Sequence, residues 1–498
     1  MPSTRGLLRA AAAALTATAL ALSGAITAST APPSDGAAPG SADGLATKLT
    51  GEVTVEGVNR HLIALQRFAD ANGGNRAAST PGYEASADYI AGKLRAVGYD
   101  VSTPEFGYQA EIVDVATLTV GGATVELIPM SSSPSTPQGG VSGSLVVAPA
   151  DGSAGCEATD YGGTDLTGTI ALAQRGTCPF AMKAAIAADL GAVAAVIYNN
   201  VDGPLDGTLG DAASARIPTV GITQADGQAL AATPGAPATL DLQIRLEDRT
   251  TRNVIAQTRT GRDDNVVMAG AHLDSVEEGP GINDNGTGSA ALLETAVQLG
   301  GTPAVSNSVR FAWWGAEELG LLGSEAYVAG LSFEQQLDIA MYLNFDMVGS
   351  PNAAYFVYDG DNSDAVGAGP GPVGSAQIEA AFAGYLQDTV GVPVEGTDFD
   401  GRSDYGPFIA VGIPSGGLFT GAEGVKTPEQ AAKWGGTAGM AYDPCYHQAC
   451  DTLGNVDRIA LDRNSDTVAW VVAGYAISTD EINGVPSRPQ RAESRPAP

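Results

Sequence analysis

The sequence predicts an α/β fold in which a mixed, mainly parallel sheet is sandwiched by helices and interrupted by a small β-rich domain. Three observations predict it. From about residue 246 to 480 short apolar strands alternate with helical stretches, the pattern of a mainly parallel sheet covered by helices. Two amphipathic helices come first, one carrying Leu62, Leu65 and Phe68, the other Tyr83, Ala87, Ile90 and Leu94 at helical spacing. Between about 120 and 245 the texture changes to short β-type runs separated by Gly, Pro and Asp turns, which marks a separate small domain.

The elements follow in order. Arg5 and Arg9 open the chain and an Ala-rich apolar run, 10–28, comes next, so residues 1–28 are expected to be the signal peptide of a secreted, extracellular protein. Thr16, Thr18, Ser23 and Thr27 interrupt that run and make it a poor membrane span. Residues 29–48 are rich in Ala, Pro, Ser and Gly and read as a linker or a removable pro-segment. Helices are expected at 57–70 and 82–97, with Gly98 ending the second and a strand starting at Tyr99.

In the small domain, strands at 145–148, 169–173, 193–198 and 218–222 surround a helix at 180–190. Beyond it, strands are expected at 253–257, 266–271, 309–314 and 339–345, and helices at 288–299, 319–328, 375–390 and 460–477. The last residues, 483–498, rich in Pro, Arg and Ser, read as a disordered tail. One domain is thus expected in two parts, 49–119 and 246–482, around an insertion at 120–245.

Composition narrows the class. The chain has 498 residues, too many for one ordinary core, with 44% hydrophobic and 16% charged residues, a globular balance. A net charge of −31 repels nucleic acid and anionic membranes, so neither is an expected partner. The four cysteines of an exported chain suggest disulfides. Three pairings are possible, and proximity favours Cys156 with Cys178 and Cys445 with Cys450.

The chemistry is carried by histidines among carboxylates. Of three histidines, His61 lies on an amphipathic helix and reads as structural or exposed. His272 follows the strand 266–271, in Ala-His-Leu-Asp-Ser. Asp284 sits in a Gly- and Asn-rich loop before the helix at 288. Glu317 and Glu318 follow the strand 309–314, Asp346 follows the strand 339–345, and His447 lies between Cys445 and Cys450. Ligands in open α/β sheets bind outside the carboxyl ends of the strands, which would bring these residues together. Two imidazoles and three carboxylates suit a pair of divalent cations, and the mixed nitrogen and oxygen set favours zinc. One of the adjacent glutamates can then coordinate while the other acts as base. Taken singly, each residue reads as a helix cap or a solvated loop residue.

Six motifs, in this order, resemble those of peptidase family M28, most closely its secreted bacterial aminopeptidases. They are Ala-His-Leu-Asp-Ser at 271–275, Gly-Pro-Gly-Ile-Asn-Asp-Asn-Gly-Thr-Gly-Ser at 279–289, Trp-Trp-Gly-Ala-Glu-Glu-Leu-Gly-Leu-Leu-Gly-Ser at 313–324, Asn-Phe-Asp-Met-Val-Gly-Ser at 344–350, Asp-Gly-Arg-Ser-Asp-Tyr at 400–405 and Asp-Pro-Cys-Tyr-His-Gln-Ala-Cys-Asp-Thr at 443–452. The resemblance covers nearly all of 50–119 and 246–480. It implies a zinc-exopeptidase-like fold and a hydrolase holding two zinc ions. Asp284 would bridge them, His272 and Asp346 would complete one, and Glu318 and His447 the other. Glu317 would be the general base on a zinc-bound water, and Tyr446 would stabilise the oxyanion. Residues 170–180 and 191–200 resemble a protease-associated (PA) domain, typically an insertion without catalytic residues.

The resemblance further implies peptide or protein substrates with free N-termini. Glu317, Asp346 and the backbone carbonyl of Arg402 would receive the α-ammonium. Met347, Phe419, Gly401 and Arg402 would shape a pocket for a large hydrophobic residue such as Leu. Asp462 and Asp466 are spaced i, i+4 on an expected helix, where like charges repel. Together with Glu52 they make calcium a further candidate ion. The same fold also serves carboxypeptidases and one-zinc glutaminyl cyclases, and a catalytically dead relative would act as a binding protein. A monomer is expected.

Overall fold

The computed structural model describes residues 42–210, 215–367, 369–479 and 486–495. The expected signal peptide lies outside them. Two eight-stranded sheets organise the chain. The first runs, edge to edge, Asp100–Ser102, Val254–Gln257, Asn307–Trp314, Arg262–His272, Ile339–Phe345, Ser415–Phe419, Phe356–Tyr358 and Glu395–Thr397. Its four central strands, from Asn307–Trp314 to Ser415–Phe419, are mutually parallel, and antiparallel pairs occur on either side of them. Central strands buried on both faces read as continuous apolar runs, and every residue of Ile339–Phe345 is buried.

Helices cover this sheet. Thr54 caps Val55–Ala71 by accepting the Gly57 N–H at 3.1 Å, and Thr80 caps Pro81–Ala96, whose first residue is a proline that needs no partner for a missing N–H. Gly288–Leu299 and Arg458–Ile477 pack behind them, and Leu62, Leu65, Ile90, Leu292, Leu293, Val468 and Val472 join the sheet residues in one core.

The second sheet belongs to the inserted domain. Ile170–Gln174, Ala194–Tyr198 and Thr219–Ile222 lie parallel, with helix Phe180–Asp189 in the first crossover. The domain is entered and left through an antiparallel ribbon, Glu105–Val120 with Pro237–Arg252, paired from Glu105 opposite Arg252 to Val120 opposite Ala238. The change of texture at 120 and 245 falls well inside this ribbon. Its inner end alternates apolar and polar residues, with Leu118, Val120, Ala238, Leu240 and Leu242 buried, while its outer part, from Glu105 opposite Arg252, has exposed or half-exposed residues on both faces.

Four further expectations differ from the structure. The linker expected at 29–48 ends in a helix, Ala42–Glu52, which buries Ala46 and Leu49 against Arg458–Ile477. The helix expected from 319 starts at Leu322, because Ala316 and Leu321 take positive φ angles and turn the chain first. The tail expected at 483–498 contains the helix Arg488–Ser494. There the buried Arg491 donates to the carbonyls of Leu337, Pro486 and Asp264, so composition alone misjudged a segment held by distant acceptors. The strand Ser415–Phe419 went unpredicted. Its Gly417 backbone lies so close to Asn344 that a β-carbon would fall 1.9 Å from the Asn344 carbonyl oxygen, and glycine carries no hydrophobic period.

Candidate metal centre and cleft

The parallel strands deliver their ends to one edge of the sheet. His272 is the last residue of Arg262–His272, Glu317 and Glu318 lie just past Asn307–Trp314, and Asp346 follows Phe345. Asp284 sits in the turn segment Ile282–Thr287, outside helical φ/ψ, where the Asp284–Asn285 peptide is cis. His447 is brought in by the loop closed by the Cys445–Cys450 disulfide; Cys156 pairs with Cys178 in the inserted domain.

These side chains converge. One oxygen of Asp284 lies 3.2 Å from His272 Nε2 and its other oxygen lies 3.3 Å from His447 Nε2. His272 Nε2 is 3.3 Å from Asp346 Oδ1, and His447 Nε2 is 3.0 Å from Glu318 Oε2. Two three-residue groups result whose ligand atoms lie close enough to hold a cation, His272–Asp284–Glu318 and His272–Glu317–Asp346, and His447 approaches Asp284 and Glu318 of the first. Ligand atoms set tetrahedrally about 2.0–2.1 Å from a zinc ion stand about 3.3 Å apart, so the spacing fits that ion. Glu318 Oε1 and Asp346 Oδ1 are buried without a hydrogen-bond partner among the described residues, as atoms facing a cation would be. Glu317 belongs to the second group, 3.9 Å from His272 Nε2.

Charge in the cluster is unbalanced. Burial pushes the Glu317 carboxyl well above its usual range, and Asp404, Asp346 and Glu318 push it further, against an opposing pull from His272. Burial, then the Asp284 charge, raises Glu318 to about 7. Burial depresses the His272 imidazole, yet the Glu317 and Asp346 carboxylates raise it well above the ordinary histidine range. Burial depresses His447 too, and Glu318 and Asp284 lift it to about 11. A set of carboxylates packed this closely is relieved by bound cations.

Neighbouring groups orient these side chains. His272 Nδ1 lies 3.2 Å from the Asp274 carbonyl oxygen, which fixes the ring. The Asp274 carboxylate accepts the backbone N–H groups of Glu317 at 3.2 Å and Glu318 at 3.3 Å. Asp451 accepts those of Asn283 and Asp284. Ser403 donates to Asp346 Oδ2 at 2.6 Å and accepts from Asn344, which accepts from Tyr342, which accepts from Trp314. Sequence reading missed Asp274, Asp451 and Ser403, although all three stand inside the quoted motifs.

The groups open into a cleft. Met347, Phe419, Arg402 and Tyr446 line it, together with Tyr358, Thr397, Asp398, Asp400, Tyr405 and Ala422, which sequence reading did not name. Gly401 is not among the lining residues; its N–H donates to the Tyr405 hydroxyl. Tyr446 stacks on His447, with ring centroids 3.8 Å apart, and its hydroxyl accepts from Arg402 at 3.1 Å, while Arg402 also pairs with Glu423. His61 is buried between Glu294 and Tyr89, a structural role. Glu52 pairs with Lys48 at 3.9 Å, and Glu52, Asp462 and Asp466 do not form a three-ligand group among the described residues. No helix among those residues is long and apolar enough to cross a membrane.

Residues 253–472 match Peptidase family M28, and residues 141–230 match the PA domain. The chain is 51% identical over 445 residues to a probable lipoprotein aminopeptidase, LpqL, of Mycobacterium tuberculosis, covering 89% of each chain. It is 44% identical over 467 residues to an aminopeptidase of Pseudomonas aeruginosa (88% of this chain, 84% of that one). It is 43% identical over 447 residues to leucine aminopeptidase 2 of Trichophyton rubrum (89% and 88%). Among solved structures it resembles an aminopeptidase from Aneurinibacillus sp. strain AM-1, with a TM-score of 0.68 at 30% identity over 87% of this chain and 96% of that one. It also resembles BSAP, a zinc aminopeptidase from Bacillus subtilis, with a TM-score of 0.67 at 28% identity over 86% and 96%.

Proposed function

The chain belongs to peptidase family M28 and is a zinc-dependent metallo-aminopeptidase, and from that premise we propose that it holds two zinc ions and removes the first residue from peptides and proteins with a free N-terminus. The observation that carries the reading is the carboxylate of Asp284, whose two oxygens face two different imidazoles. We assign His272, Asp284 and Asp346 to one ion and Asp284, Glu318 and His447 to the other.

When bound, zinc supplies a Lewis acid for the scissile carbonyl and acidifies a water molecule. The residues of the chain do the rest. Glu317, buried and of raised proton affinity, takes the proton of the attacking water and hands it to the departing amide nitrogen. The Tyr446 hydroxyl accepts from Arg402, which leaves its own proton free to point at the developing oxyanion. Glu317, Asp346 and the Arg402 carbonyl receive the substrate's α-ammonium, so a blocked N-terminus is excluded. Met347 and Phe419 form an apolar wall, and the preference assigned is for large hydrophobic residues such as Leu. The Arg402 guanidinium is engaged by Glu423 and is not free to hold a substrate carboxylate, which disfavours a carboxypeptidase. We further assign the enzyme to the extracellular space as a monomer, on the reading of residues 1–28 and the two disulfides.

The test is release of p-nitroaniline from Leu-p-nitroanilide by the purified protein, with and without a zinc chelator, beside Glu317→Ala and an N-acetylated substrate. Activity requiring metal, Glu317 and a free amine is expected. A protein that holds two zinc ions yet leaves the free-amine substrate intact would belong to another substrate class.

A further inference from the structure

Arg76 is fully buried, yet it lies outside the matched peptidase segment, in the turn between helices Val55–Ala71 and Pro81–Ala96. A buried guanidinium costs free energy unless its donors are satisfied. Here each of its three nitrogens donates one hydrogen bond, and every acceptor belongs to one stretch of chain. Nη1 donates to the Leu273 carbonyl, Nε to the Pro280 carbonyl at 2.9 Å, and Nη2 to the Gly281 carbonyl at 2.6 Å. The backbone joins in: the Arg76 N–H donates to Ser275 Oγ at 2.9 Å, and the Ser275 N–H donates back to the Arg76 carbonyl. Among the described residues no carboxylate lies within 4.0 Å of the guanidinium.

The position of these acceptors matters. Leu273 directly follows His272, and Pro280 and Gly281 stand just before Asp284. Residues 273–281 form the loop between two side chains that approach each other at 3.2 Å. A planar fork of fixed geometry holds the loop at both ends. Closing a flexible loop of this length costs entropy, and a group that fixes its ends sets the separation of what it joins. The loop otherwise has little regular structure to define it.

We propose that Arg76 is a positioning residue of the metal centre: it clamps the loop 273–281 so that His272 and Asp284 stand at the spacing of a shared cation. The inference rests on the metal-centre reading proposed above. It makes the N-terminal helical segment part of the catalytic apparatus, although that segment supplies no ligand and is separated from the ligands in sequence by the whole inserted domain.

The experiment titrates zinc into chelator-stripped full chain against a chromophoric competitor, for the wild type, Arg76→Ala and Arg76→Lys. Removing an outer partner of a metal ligand weakens binding by about 10- to 100-fold, and that loss is expected for Arg76→Ala, with a smaller loss for Arg76→Lys, which keeps the charge but not the fork. Added guanidinium is expected to restore zinc affinity to Arg76→Ala, a rescue that a purely packing role would not give. Wild-type zinc affinity in either folded variant overturns the proposal. Should Arg76→Ala fail to fold, Arg76→Lys decides in the same way. A wild type that binds no zinc overturns the metal-centre reading itself, and this inference with it.

Discussion

Asp451 accepts the backbone N–H of Asp284 at 2.9 Å, so the residue that follows the second cysteine of a disulfide fixes the carboxylate that faces both imidazoles. Burial raises Asp451 to about 7, against the pull of the two N–H groups it accepts. Its replacement by Ala leaves those buried donors, on Asn283 and Asp284, without partners. Zinc affinity is expected to fall by about tenfold or more, with Asp451→Asn milder because its amide oxygen still accepts one bond. Competitive zinc titration checks this, and an unchanged affinity in Asp451→Ala would mean that the loop holds Asp284 unaided.

Glu317→Gln keeps the shape of the site and removes the carboxylate proposed as the base. The turnover number is expected to fall by about 10²- to 10⁴-fold, the usual range for a general base, with the zinc content of the protein unchanged. Steady-state assays on Leu-p-nitroanilide beside metal analysis separate the two effects. Loss of zinc together with activity would reassign Glu317 as a ligand.

Tyr446→Phe removes one hydroxyl and keeps the stack on His447. If the hydroxyl serves the transition state, kcat falls by about 10²- to 10³-fold while KM stays close to that of the wild type. A rise in KM with kcat unchanged would place Tyr446 in ground-state binding instead.

Zinc removal should cost stability as well as activity, because burial and repulsion among neighbouring carboxylates raise Glu317 and Glu318 in the metal-free cluster. A ligand that binds only the folded state stabilises it by about 2.7 kcal/mol at a hundredfold excess over its Kd. Calorimetric unfolding with and without chelator should show a lower Tm for the stripped protein. Identical curves would contradict a centre assembled by the fold.

Asp466 lies on helix Arg458–Ile477 one turn from Asp462, and burial, then the Asp462 charge, raises it to about 7. The folded state therefore keeps a proton that the unfolded chain releases. Stability from this group is present below the ordinary Asp range, declines as pH rises from about 4 towards 7, and stays lost above it. Asp466→Asn should accordingly raise Tm at about pH 8 and not at about pH 3.5. Equal Tm values at the higher pH would refute the shift. A difference abolished by added calcium would place that ion at the acidic pair.

The legible parts were those with a local signature. His272 and Asp346 announced themselves by following uninterrupted apolar strands, and the helix Gly288–Leu299 was bounded correctly by its own periodicity. The ribbon Glu105–Val120 with Pro237–Arg252 was not read as a pair of strands, although Ala238, Leu240 and Leu242 alternate at its inner end, and the strand Ser415–Phe419 stayed hidden because a close approach to Asn344 demanded glycine where a period would otherwise show. Arg491 sits in a segment whose composition reads as a tail, and the distant carbonyls of Leu337 and Asp264 hold it in the core.

By itself, then, the sequence determined the alternation that makes the central sheet and the residues at its strand ends, and it favoured the pairing of neighbouring cysteines. All are properties of short stretches, where spacing along the chain stands in for spacing in three dimensions. Tertiary structure alone decided that Asp284 turns one oxygen to each imidazole, that Asp274, Asp451 and Ser403 hydrogen-bond the segments or side chains of the residues proposed as ligands, and that Arg76 bonds the loop between His272 and Asp284. The physical reason is that a hydrogen bond is specified by its partner. A buried Arg or Asp carries no mark in the sequence of which backbone, a whole domain away, will satisfy it.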